Sequence, residues 1–172
     1  MGSERVPLPN ETLVRKTEDV TFGPIELWRW RSGDGPLMLE WRGSARLDDG
    51  SIAGVIINIE KLGAEETALV LLNAAERQTF EGLTQSSEGV RLNAARGLLR
   101  TAHDWCESSG RSPPTLEAFA ASLKVREFVL DTDAEGVNIS VWFDDTADYF
   151  AGHGLYATYD GEGTQLDVAL FG

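Results

Sequence analysis

Apolar and polar residues alternate along two parts of this chain and follow a helical period between them. Leu37-Met-Leu-Glu-Trp41 alternates, and Val55-Ile-Ile-Asn-Ile59 does so more weakly. A period of two marks a half-buried strand, so strands are predicted near 25–31, 37–47 and 52–60. Ser-Gly-Asp-Gly-Pro at 32–36 and Asp48-Asp49-Gly50 are turn signals between them. In the last third, Val137, Ile139, Val141 and Phe143 alternate with Asn138, Ser140 and Trp142. Leu166, Val168 and Leu170 alternate with Asp167 and Ala169. Strands are predicted near 125–131, 137–143, 153–159 and 165–171. Their connections are short at 132–136 and 160–164 and longest at 144–152.

The middle of the chain is helical in pattern. Leu69, Leu72, Glu76 and Phe80 share one line of a helix predicted over 65–83. Ala95, Leu98, Leu99, Ala102, Trp105 and Cys106 form the stripe of a second, over 88–106, which Gly110 stops. Pro113-Pro114 precedes a short third helix that Thr115 caps, with Leu116, Phe119 and Leu123 on one face. Strands, then helices, then strands again argue for an α+β fold rather than a parallel α/β sheet. The expectation is a mostly antiparallel sheet, ending in a four-stranded meander, with two or three central helices on one face. Residues 1–20 read as a partly flexible lead-in and 21–172 as a single α+β domain.

Composition narrows the function classes. The chain has 172 residues, enough to bury roughly 70% of the surface its unfolded form exposes. Its one cysteine, Cys106, forms no disulfide within the chain, which favours a reducing compartment. No stretch has the apolar run of a signal peptide or a membrane span, so the expected location is the cytoplasm. Net charge is −13, and its distribution says more than its size. Residues 127–172 carry ten acidic residues and no lysine or arginine. Such a surface repels nucleic acid and anionic membranes, whose binding draws on Lys and Arg. It attracts and steers a basic protein.

Inside that segment lies Val-Trp-Phe-Asp-Asp-Thr-Ala-Asp-Tyr-Phe-Ala-Gly-His, 141–153. Asp144, Asp145, Asp148 and His153 are residue types that ligate metals, but their spacing matches no metal motif. Asp131-Thr-Asp-Ala-Glu-Gly136 imitates the start of an EF-hand, yet Trp142 stands where the loop needs its bidentate Glu. A hairpin turn accounts for it. Cys106 sits on an apolar stripe, where cysteine acts as a small hydrophobe, and His103 reads as an exposed helix residue. No nucleophile elbow, phosphate-binding loop or dinucleotide fingerprint is present. Trp28-Arg-Trp-Arg31 with Trp41-Arg42 could stack on bases. If 32–36 is a hairpin loop, however, Arg42 falls opposite Glu26 and Trp28 opposite Glu40. Cross-strand pairing then explains the cluster without a ligand.

Several segments together resemble a bacterial family catalogued as domain of unknown function 2262. They are Phe22-Gly23, Leu39-Glu-Trp41-Arg-Gly43, Leu98-Leu-Arg-Thr-Ala-His-Asp-Trp105, Pro114-Thr-Leu-Glu-Ala-Phe119, Phe128-Val-Leu130, Phe143-Asp-Asp, Phe150-Ala-Gly-His153 and Gly172. The resemblance runs from about Phe22 to the end. The acidic pair followed by Phe-x-Gly-His is its most specific element, and Tyr149 is a departure from the tighter Asp-x-Phe turn. The resemblance implies an α+β domain and supplies no catalytic residues. By analogy with other small bacterial domains it suggests a toxin-immunity protein.

The leading expectation is therefore a cytoplasmic, immunity-type binding protein that blocks a basic toxin, such as a nuclease, without catalysis or cofactor. Asp144, Asp145, Asp148 and Tyr149 are the candidate partner contacts, while Phe150, Gly152 and His153 hold the loop's shape. The alternatives are a metal-dependent hydrolase using His153 with those aspartates, and a regulatory or structural module.

Overall fold

The alternating stretches pair into one sheet. A computed structural model describes residues 10–31, 33–35, 37–59, 72–132 and 136–172. Eight strands lie in chain order across the sheet. They are β1 (Glu11–Asp19), β2 (Gly23–Arg31), β3 (Leu37–Arg46), β4 (Ile52–Ile59), β5 (Leu123–Thr132), β6 (Val137–Asp145), β7 (Gly154–Tyr159) and β8 (Gln165–Phe171). Neighbours are antiparallel except β4 and β5, which run parallel. A parallel pair needs a long crossover. Here that connection contains α1 (Ala74–Thr84), α2 (Ser87–Ser108) and α3 (Leu116–Ser122). The fold is α+β, with a mostly antiparallel sheet, as the segregated pattern predicts.

Burial alternates along β6 and β7 as the sequence does, whereas Leu166 of β8 is exposed. On β6, Val137, Ile139, Val141 and Phe143 are buried, and the residues between them are not. Register carries that face across the sheet: Val55 pairs with Phe128, Phe128 with Val141, and Val141 with Ala157. The helices cover it. Phe80 of α1 meets Phe22 and Phe128 edge-on at 5.0 and 5.2 Å, and Gly97 of α2 lies against Val168 of β8. The opposite face of the sheet carries Trp28, Glu40, Arg42, Trp142 and Tyr156. There Arg42 stands opposite Glu26 and Trp28 opposite Glu40, as the turn at 32–36 predicts. Arg42 also pairs with Glu40 and, at 2.7 Å, with Glu11.

Two local expectations are corrected. Glu11–Asp19, placed in the flexible lead-in, is an edge strand. His103, expected to be exposed, is half-buried, and its Nε2 lies 2.9 Å from the Pro114 carbonyl. The helix predicted from 65 has its described start at Asn73, which caps α1 in a capping box with Glu76. The stretch 65–71, Ser32, Pro36 and the turn residues 133–135 lie outside the described residues. Gly110 does stop α2. It takes the left-handed φ of +70°, and Arg111 N–H donates to the Cys106 carbonyl at 2.7 Å. This is a Schellman ending.

One ion pair ties the first hairpin to the helical layer. Arg77 of α1 donates to both oxygens of Asp19, at 2.9 and 3.1 Å. Burial pushes the Asp19 carboxyl up. The Arg77 hydrogen bond, the Thr21 and Phe22 amides and the Arg77 charge outweigh it and hold the carboxyl below its usual range. A depressed folded-state value gives stability that is present above the unfolded pKa, about 3.9. It is lost as pH falls through the folded value. Asp19→Asn is expected to cost about 2 kcal/mol near neutral pH. The cost should shrink as pH falls through the folded-state value, where Asp19 takes up a proton and becomes neutral like the asparagine. Urea unfolding of the two proteins at pH 7 and pH 2.5 checks this.

Candidate functional site

The long connection of the C-terminal meander joins β6 to β7, and its core is held from inside. Phe150 is 1% exposed. Its ring meets Trp105 of α2 and Phe119 of α3 edge-on, each at 5.7 Å. Tyr149 is half-buried beside it, edge-on to Phe119 at 5.6 Å. His153 is fixed as well. Its Nδ1 lies 2.8 Å from the Phe150 carbonyl, its ring packs edge-on against Trp105 at 5.0 Å, and Gly172 lies close against the ring. With Nδ1 facing an acceptor, Nδ1 carries the proton.

The aspartates divide by role. Asp145 turns inward. Its carboxylate accepts from the Ala147 amide at 3.1 Å, the Tyr149 amide at 2.5 Å and the Ser122 hydroxyl at 3.2 Å. This satisfies the turn's own donors, as Asp does in tight turns. Thr146 adds two bonds to the Ser122 carbonyl, at 3.0 Å from its amide and 2.8 Å from its hydroxyl. Asp144 and Asp148 are exposed. Asp144 makes a loose pair with Arg126 at 3.6 Å. Asp148 accepts from the Gly152 amide at 2.9 Å and leaves the rest of its carboxylate to solvent.

Arg111 clamps the loop from the end of α2. Its guanidinium donates to the Asp148 carbonyl at 2.7 Å and the Ala147 carbonyl at 2.9 Å, and lies 5.4 Å from the Tyr149 ring centre. Asp148 and Ala151 hold φ of +52° and +50°, a left-handed conformation that costs an L-residue roughly 1–2 kcal/mol. Among the described residues they are the two non-glycines with positive φ. The clamp, the Asp145 turn and the Phe150 plug together hold the loop in that shape.

Arg126, Asp144, Asp145, Asp148 and His153 line a shallow depression of about 220 Å³ at the mouth of the loop. Among the described residues no three His, Cys, Asp or Glu side chains come together in a group able to hold a metal ion. Among them, too, no helix is long and apolar enough to cross a membrane.

Comparison with protein families then places the chain. The family DUF2262, described as an uncharacterised protein conserved in bacteria, matches residues 40–170. The chain belongs to this family. The DUF2262 match takes in most of β3, β4 to β7, β8 up to Leu170, the helices and the whole loop. It begins later than Phe22, leaving β1 and β2 outside. No curated protein and no solved structure matches the chain. The matched region also contains Trp105, Arg111 and Ser122, the three loop supports that sequence reading missed. Trp105 was legible as a stripe residue. Nothing local to Arg111 or Ser122 signals a contact with a loop more than twenty residues away.

Proposed function

We propose that this protein is an acidic, non-catalytic binding protein of the immunity type, which neutralises a basic protein such as a nucleic-acid-cleaving toxin. The carrying observation is the separation of charge along the sheet. Residues 127–172, with ten acidic and no basic residues, supply most of β5 and all of β6, β7 and β8. Strands β6 to β8 thus carry carboxylates and no basic residue, the nearest cations on the sheet being Lys124 and Arg126 of β5 beside Asp144. The exposed Asp144 and Asp148 stand at the end of β6 and on a loop held by its own bonds. A rigid acidic surface speeds encounter with a basic one and loses little entropy on binding. A toxin that grips phosphate must present Lys and Arg, and covering them would block its substrate. Arg111 and the Asp145 turn then act as supports, and Asp144 and Asp148 as the loop's contacts.

The test is capture from native bacterial lysate at low salt, followed by assay of the captured protein. The expected result is a protein with a basic surface whose activity falls to background at one equivalent of this chain. Full activity at a tenfold excess would count against the reading. The alternative reading, a metal-dependent hydrolase using His153 with the nearby aspartates, has no gathered set of three ligands among the described residues. Stoichiometric zinc, manganese or iron in the purified protein, lost on His153→Ala, would support that one instead.

A further inference from the structure

The side of the sheet away from the helices carries an aromatic patch at its acidic end. Trp142 and Tyr156 are register partners on β6 and β7, with ring centres 4.9 Å apart. Phe171 of β8 meets Trp142 edge-on at 5.8 Å and is 65% exposed. Asp144 follows on the same face of β6, and Asp167 of β8 lies across from Thr158. Both carboxylates are exposed. Aromatic faces edged by carboxylates suit a planar cation, which stacks on the ring and pairs with the acid.

The molecule already demonstrates that chemistry with a residue of its own. The Arg126 guanidinium lies 5.7 Å from the Trp142 ring centre and 3.6 Å from Asp144. Both side chains of that ion pair are about half exposed, at 50% and 56%. An exposed pair of this kind contributes little and exchanges readily.

We propose that this face is the docking surface for an arginine-rich segment of the partner protein, and that Arg126 occupies the place a partner guanidinium takes. The proposal rests on the basic-partner reading above and adds where and by what chemistry the partner is held. Charge complementarity selects a cationic segment. The exposed ring faces select arginine over lysine, because guanidinium is planar and weakly hydrated.

A nona-arginine and a nona-lysine peptide, titrated into the full chain at low salt, test it. The Trp142 indole N–H resonance, assigned by its loss in Trp142→Phe, is followed by NMR. Nona-arginine is expected to shift that resonance and to bind more tightly than nona-lysine. Arg126→Gln should tighten nona-arginine binding about threefold by freeing the ring. Tyr156→Ala with Phe171→Ala should weaken it about tenfold. Equal binding of both peptides, indifferent to these variants, would overturn the docking proposal and leave the acidic-surface reading standing. No binding of either peptide would overturn both. A dimer in sedimentation that Phe171→Ala dissolves would assign the face to a second copy of the chain instead. Because Arg126→Gln alters only an exposed side chain, its arm reads out even if the double variant folds poorly.

Discussion

Replacing Phe150 with alanine is expected to destabilise the protein by about 3–5 kcal/mol, measured by urea unfolding. The ring is 1% exposed and sits between Trp105 of α2 and Phe119 of α3. Removing it leaves a cavity where the loop and two helices meet, and rigid neighbours fill such a space only in part. A loss of this size is a large share of the 5–15 kcal/mol that holds a typical domain together. The near-ultraviolet signal of Trp105 should weaken in the same variant. A loss under about 1 kcal/mol would mean that the loop is not anchored through this residue, and the account of a rigid platform would fail with it.

Most strands were legible because half-buried strands write their burial into a period of two. The register between β2 and β3 was legible too: the turn signal at 32–36 puts Glu26 opposite Arg42, and the strands pair in that register. β1 was not. Its half-buried residues, Glu11, Val14, Thr17 and Asp19, do not fall at every second position, and the pairing with β2 shifts between Leu13 and Arg15. An edge strand that buries little of either face has no apolar stripe to read. The parallel contact of β4 with β5 is likewise unsigned in the sequence. It joins residues about 73 apart, such as Ile56 and Val129, and only the helical crossover hints at it. In the loop, residue type alone could not separate Asp145 from its neighbours. All three aspartates read as acidic and polar, yet only Asp145 falls where the Ala147 and Tyr149 amides converge.

That distinction shapes the second prediction. Asp144→Asn with Asp148→Asn is expected to slow association with the captured basic partner about three- to tenfold at low salt. Asparagine keeps an acceptor for the Gly152 amide and tolerates the left-handed φ at 148, so unfolding free energy should change by no more than about 0.5 kcal/mol. The rate difference should close in high salt, where exposed charges are screened. Asp145→Ala should behave in the opposite way. It strips charge-assisted bonds from two amides and a hydroxyl, and is expected to cost about 2 kcal/mol of stability. Its effect on association should follow the loop's loss of order and persist in salt. A double asparagine variant that associates at the wild-type rate in low salt would remove the loop from the contact surface.

The central claim is that the acidic end of the sheet meets a basic partner, and hydrogen exchange on the complex reads it most directly. The full chain, alone and with the captured partner, is exchanged and mapped by mass spectrometry. Added protection is expected in the 144–153 loop and along β8, the edge strand at that end. Exchange in β1 and β2 should stay unchanged. Protection concentrated on β1 and β2, or on the outer surfaces of α1 and α2, with none at the loop or β8, would contradict the claim.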